Sequence, residues 1–180
     1  MSEQRILVAG IGNIFLGDDA FGVEVVQNLA HRPWPERVRV VDFGIRGFDL
    51  AYALLDGYDA AILVDALPRG ETPGTLYVIE PDLAELNGPD SVEIETHSMD
   101  PVKVLRLAHT LGDLPGQILV VGCEPATLDP DEGGYMGLSP PVEAALDGAM
   151  QLVESLVYTI GAENHAAGQT RLDPEQLQLT

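Results

Sequence analysis

The chain is short of cysteine, of cations and of long apolar runs, and each shortage narrows its class. Among 180 residues there is one cysteine, Cys123. No intrachain disulfide can form, which suits a reducing compartment, so the expected location is the cytoplasm. Met1-Ser-Glu-Gln-Arg5 leads into apolar strand sequence without a signal-peptide pattern. No run approaches the ~20 apolar residues of a membrane-spanning helix. Lys and Arg number nine against 29 Asp and Glu, for a net charge of −20. That balance argues against nucleic acid and anionic membranes as partners. Two hydrolase signatures are also missing: there is no G-x-S-x-G elbow and no H-E-x-x-H helix.

What is present reads as one globular α/β domain. Apolar residues make up 46% of the chain, enough for a single sizeable core. Arg5–Ala9, Val38–Asp42, Ala60–Val64, Thr75–Ile79 and Ile118–Cys123 are near-continuous Val/Ile/Leu runs, the pattern of strands buried on both faces. Between them lie helical stripes. Phe21, Val25, Val26 and Leu29 form the first, and Phe48, Ala51 and Leu55 the second. Val102, Leu105, Ala108 and Leu111 form the third, and Val142 through Leu156 carry the longest. Asp100-Pro101 and Ser139-Pro140 are placed to start the last two helices. The connection Asp65 to Gly74 is about ten residues, too short for a helical crossover, so the fourth strand is expected antiparallel at an edge. The expected fold is three-layer α/β: a twisted, mostly parallel five-stranded sheet with helices on both faces and one antiparallel strand. The domain is expected to span residues 1–160. The tail 161–180 lacks a long periodic pattern and is expected to be poorly ordered.

The densest cluster of signals is Gly10-Ile-Gly-Asn-Ile-Phe-Leu-Gly-Asp-Asp-Ala-Phe-Gly22. It joins the first strand to the first helix, where a dinucleotide-binding unit keeps G-x-G-x-x-G. Gly10 and Gly12 fit that fingerprint, and Asp42 at the end of the second strand could mimic its ribose-binding acid. The third glycine position, however, is Phe15, and Asp18-Asp19 would repel a pyrophosphate. One of the two aspartates is expected to cap the helix N-terminus, leaving the other to point outward.

Ligands in open α/β sheets bind beyond the carboxyl ends of the strands. Asp19 after the first strand, Asp65 at the end of the third and His97 before the third helix all fall there. Two carboxylates and an imidazole suit zinc, nickel or a similar divalent ion, with a position left open for water or substrate. Each residue also has a plain reading: Asp65 as a turn or helix cap, and His97 as an exposed loop histidine. Cys123 reads first as a small core residue. His31 and His109 lie near helix C-termini, where the dipole favours them, and His165 lies in the tail.

Together these residues resemble the hydrogenase maturation proteases, the endopeptidases that trim the large subunit of nickel–iron hydrogenases. Ile6-Leu-Val-Ala-Gly-Ile-Gly-Asn13 with Gly17-Asp-Asp19 and Gly22 is similar to the family's opening motif. Ile62-Leu-Val-Asp-Ala66 and Pro73-Gly-Thr75 are similar to its central strand and the segment after it. His97-Ser-Met-Asp-Pro-Val-Lys-Val-Leu105 is similar to its histidine motif, and Val121–Pro125 and Leu138–Glu143 to its last strand and helix. The resemblance runs from Arg5 to Val157.

It implies an endopeptidase that removes a C-terminal extension from a hydrogenase large-subunit precursor. Nickel arrives with that substrate, and zinc or cadmium can substitute in crystals. By motif the metal contacts fall on Asp19, Asp65 and His97, where some relatives have glutamate in place of Asp19. Asp42 joins these three as a candidate catalytic residue. Its turn, Asp42-Phe-Gly-Ile-Arg-Gly47, carries Phe43 and Ile45 where the family has small or polar residues, and Ala20 stands where many relatives have glycine. A monomer is expected. The alternatives are a nickel-carrying chaperone without peptidase activity and a nucleotide-binding module.

Overall fold

The computed structural model describes residues 3–87, 100–128 and 136–169. Five strands form one sheet: β1 (Ile6–Ile11), β2 (Val38–Gly44), β3 (Ala60–Ala66), β4 (Leu76–Ile79) and β5 (Gln117–Cys123). Their order is β2-β1-β3-β5-β4, parallel throughout except for β4, which runs antiparallel to β5 at the edge. The expected architecture is the one found. Burial explains the near-continuous apolar strands. Every residue of β1 and β3 is buried, whereas the edge strands β2 and β4 are partly exposed.

Alternation along the strands divides the core into two halves. Ile6 and Val8 of β1, Ile62 and Val64 of β3, and Val121 and Cys123 of β5 face α1 (Phe21–Ala30) and α4 (Pro140–Gln169). Leu7, Ala9, Ala61, Leu63, Ile118 and Val120 face α2 (Gly47–Leu54) and α3 (Pro101–Leu111). Asp65 follows Ala61 and Leu63 in phase, so it belongs to the α2/α3 face. Asp42 follows Val38 and Val40 and belongs to the α1 face.

Two helices are rotated relative to the expected stripes. On α2 the buried residues are Leu50, Ala51 and Leu54, while Phe48 is exposed in its first turn. On α3 they are Pro101, Val104, Leu105 and Ala108, with Val102 and Leu111 turned outward. Helix α4 continues past residue 160 to Gln169, and residues 170–180, the rest of the expected tail, lie outside the described residues. Among the described residues no helix is long and apolar enough to cross a membrane.

The chain leaves β1, places β2 on one side of it and β3 on the other. This switch point opens a crevice at the carboxyl ends of β1 and β3. Two glycines shape it. Gly12 has φ 140°, and a Cβ there would lie 1.8 Å from the Asp19 carbonyl oxygen. A Cβ on Gly22 would lie 2.0 Å from Val64 O and 2.4 Å from Ile11 O. The third glycine of the dinucleotide fingerprint serves close helix–strand packing. Gly22, seven residues after Phe15, serves that purpose here.

Candidate active site

Asp19 sits in the 3-10 turn Gly17–Ala20 that leads into α1. Its Oδ2 accepts a hydrogen bond from Asn13 N at 2.9 Å. Burial raises its carboxyl pKa, and the Asn13 N–H partly offsets this. Asp65 is deeper, at 3% exposure, and its Oδ1 accepts from Ala66 N at 2.8 Å. Its pKa is pushed well above the usual carboxylate range, first by burial and then by the charges of Asp19 and Asp100. The 3-10 turn packs against β3. The fold thus brings Asp19 and Asp65 together at the switch point, in a low-dielectric setting where one carboxylate disfavours ionisation of the other. A cation between them would reverse that penalty.

Asp100 adds a third negative charge to this field. It is the N-cap of α3, its Oδ1 accepting from Val102 N at 2.8 Å with Pro101 in the first turn, as expected. His97 lies outside the described residues. Among those described, no group of three or more His, Cys, Asp or Glu side chains is close enough to hold a metal. Asp42 is half-buried on the α1 side, where its Oδ2 accepts from Gln27 Nε2 at 3.0 Å. The sheet's alternation points it away from the face that carries Asp65.

The pair Asp18-Asp19 divides its roles, though not as capping chemistry suggests. Neither side chain caps the first helix. Asp18 is buried, its Oδ2 accepting from Ala126 N at 2.8 Å and Ser139 Oγ at 2.9 Å, and its Oδ1 from Ser139 N at 2.6 Å. Three hydrogen bonds reward a carboxylate more than one exposed cap. Asp18 therefore fastens the opening turn to the start of α4, and Asp19 is left to face the crevice. The Ser139 carbonyl accepts Glu143 N at 2.8 Å, as an N-cap residue's does, but the Ser139 hydroxyl is spent on Asp18.

Glu124 is the buried acid that sequence reasoning assigned no role. It receives the Tyr77 hydroxyl and the N–H groups of Arg69 and Gly70. These bonds, the Tyr77 hydroxyl foremost, hold its carboxyl below the usual range and fix the connection between β3 and β4. A carboxylate directly after a buried strand, opposite a Pro/Gly-rich connection, was the available signal. Cys123 is fully buried, and burial together with Asp18 and Glu124 pushes its thiol up to about 11. That confirms the core reading and removes it as a nucleophile at neutral pH.

The HycI model of the hydrogenase maturation proteases matches residues 23–156. This chain belongs to the hydrogenase maturation protease family. The hydrogenase 2 maturation protease of Escherichia coli (strain K12) is 32% identical over 161 residues, covering 88% of this chain and 94% of that protein. The solved structure of the E. coli hydrogenase maturating endopeptidase HybD superposes with a TM-score of 0.70 at 29% identity, covering 88% of this chain and 94% of that one. A hydrogenase 2 maturation peptidase from Thaumarchaeota archaeon SCGC_AB-539-E09 gives 0.63 at 32% identity, covering 86% and 98%. A NiFe hydrogenase maturation protease, HycI, from Thermococcus kodakarensis KOD1 keeps the fold at 24% identity, with a TM-score of 0.60 over 88% and 93%. The expected enzyme class, a hydrogenase maturation endopeptidase, is the class of the family. Membership also sets aside the nucleotide-binding and chaperone alternatives.

Proposed function

We propose that this hydrogenase maturation protease cleaves the C-terminal extension from a hydrogenase large-subunit precursor that already holds nickel. The observation that carries the proposal is the convergence of Asp19 and Asp65 at the switch point, each with a pKa raised by burial. Two such carboxylates gain most from a cation delivered to them. Nickel is here part of the substrate. Asp19, Asp65 and His97 are its contacts, through which the scissile peptide is placed beside the crevice. Asp42 is left out of that contact set because it is bonded to Gln27 on the opposite face of the sheet. With the Cys123 thiol buried, water is the attacking group. Water adds to the scissile carbonyl carbon and the C–N bond then breaks. The proton lost by the water ends on the leaving amine.

A protease that works on nickel-loaded, still unassembled subunits belongs in the cytoplasm, consistent with the single buried cysteine. We assign the enzyme to act as a monomer on one precursor chain. The test is processing of a nickel-loaded precursor by Asp19→Ala and His97→Ala. Each is expected to lower the rate by at least about 10²-fold, with the melting temperature close to that of the wild type. Full cleavage by His97→Ala defeats the assignment.

A further inference from the structure

Large apolar side chains gather, exposed, at the carboxyl ends of β1 and β2. Ile14 and Phe15 form the tip of the loop after β1, and Ile45 and Phe48 flank the turn after β2. Tyr52 lies one helical turn beyond Phe48 on α2. These five are between 41% and 64% exposed. Single exposed apolar residues are ordinary, but a cluster beside a cleft marks an interaction surface.

The two loops are joined and rigid. Gly12 N donates to Gly44 O at 3.0 Å, tying one to the other. On the first loop Phe15 N donates to Asn13 Oδ1 at 3.0 Å, and Asn13 N donates to the Asp19 carboxylate. On the second, Arg46 N and Arg46 Nε both donate to Phe43 O, at 2.9 and 3.1 Å. The Arg46 guanidinium also lies 5.9 Å from the centre of the Phe43 ring. Side chains displayed on pinned loops lose little freedom when covered. In a chain of net charge −20, residues 10–16 and 43–48 contain no carboxylate and one cation, Arg46. The rim that the two loops form is thus apolar and uncharged apart from Arg46, which lies 3.5 Å from Asp49 on α2.

We propose that this rim docks an apolar stretch of the precursor next to the scissile bond and so helps set which precursor is accepted. The proposal rests on the precursor reading above. The occupant is the substrate because Asn13, beside the loop tip, is hydrogen-bonded to Asp19, so a chain that reaches Asp19 passes next to Ile14 and Phe15. A second copy of the protein seated on the rim would close the crevice instead. Ile45 stands on this surface at 64% exposure, while Phe43 is buried beneath it among Leu50 and Leu54 and holds the turn in place.

The experiment uses a nickel-loaded precursor that the wild-type protein cleaves. Phe15→Ser with Ile45→Ser is expected to raise KM about tenfold or more while kcat stays within about twofold. Phe48→Ser with Tyr52→Ser, on α2, is expected to act in the same direction and serves if the first pair fails to fold. Tyr158→Ser, exposed on α4, is the control and is expected to leave both constants unchanged. An unchanged KM in a folded rim pair overturns the proposal. So does a rim pair that only converts a dimer to a monomer in sedimentation. If the wild-type protein cleaves no nickel-loaded precursor, the functional reading itself fails and takes this inference with it; that result is read before any variant is made.

Discussion

Asp65 places a carboxylate in the interior with one backbone N–H as its hydrogen-bond donor and two other acids in its field. Such a residue destabilises the free enzyme in exchange for a function. Asp65→Asn should therefore raise the melting temperature near neutral pH, since the amide oxygen can still accept Ala66 N. The sign follows from linkage. The folded-state pKa is raised above the unfolded value of about 3.8, so the folded chain keeps a proton that the unfolded chain releases. Wild-type stability then falls as pH rises from about 3.8 through the folded value. The advantage of Asp65→Asn should be small near pH 3 and grow above pH 4, while processing drops by at least about 10²-fold. Thermal melts across pH check this, and a variant less stable than the wild type at pH 7 contradicts it. Asp65 was legible as a candidate because an acid at the end of a buried strand stands out against Val, Ile and Leu, and Asp19 because it follows the glycine-rich turn after β1. Which of Asp18 and Asp19 turns inward was not legible. That choice depends on Ala126 and Ser139, more than a hundred residues away.

At the level of elements, the crevice exists because α1 can lie directly against β1 and β3. Gly22 permits this, and Val64 O and Ile11 O are backbone atoms that cannot swing aside. Gly22→Ala is expected to cost about 4 kcal/mol or more, lowering the melting temperature by roughly 10 °C, as the helix is forced off the sheet. Calorimetry measures this, and an unchanged melting temperature would show that the helix has room to spare. The antiparallel β4 was readable from the short Pro/Gly-rich connection before it, since chain length alone forbids a crossover. The phase of α2 was harder. In a helix of eight residues, Phe48 and Leu50 compete for the core. Leu50 wins with Ala51 and Leu54, and only tertiary packing decides that. The exposure of Phe48 that follows is what places it on the rim.

At the level of the whole molecule, one sheet of order β2-β1-β3-β5-β4 gathers the carboxylates at a single switch point. The apolar rim stands beside it. The sheet order was implicit in the alternation of strands and helices, and the motif order pointed to the family that the match over residues 23–156 shows. The rim was not implicit, because it joins two loops about thirty residues apart through the bond between Gly12 and Gly44. The central claim is that Asp19 and Asp65 read nickel carried by the precursor. The most direct measurement is cleavage, by enzyme stripped of metal, of the same precursor with and without nickel. The account predicts cleavage of the nickel-loaded precursor alone. Equal cleavage of both forms would contradict it.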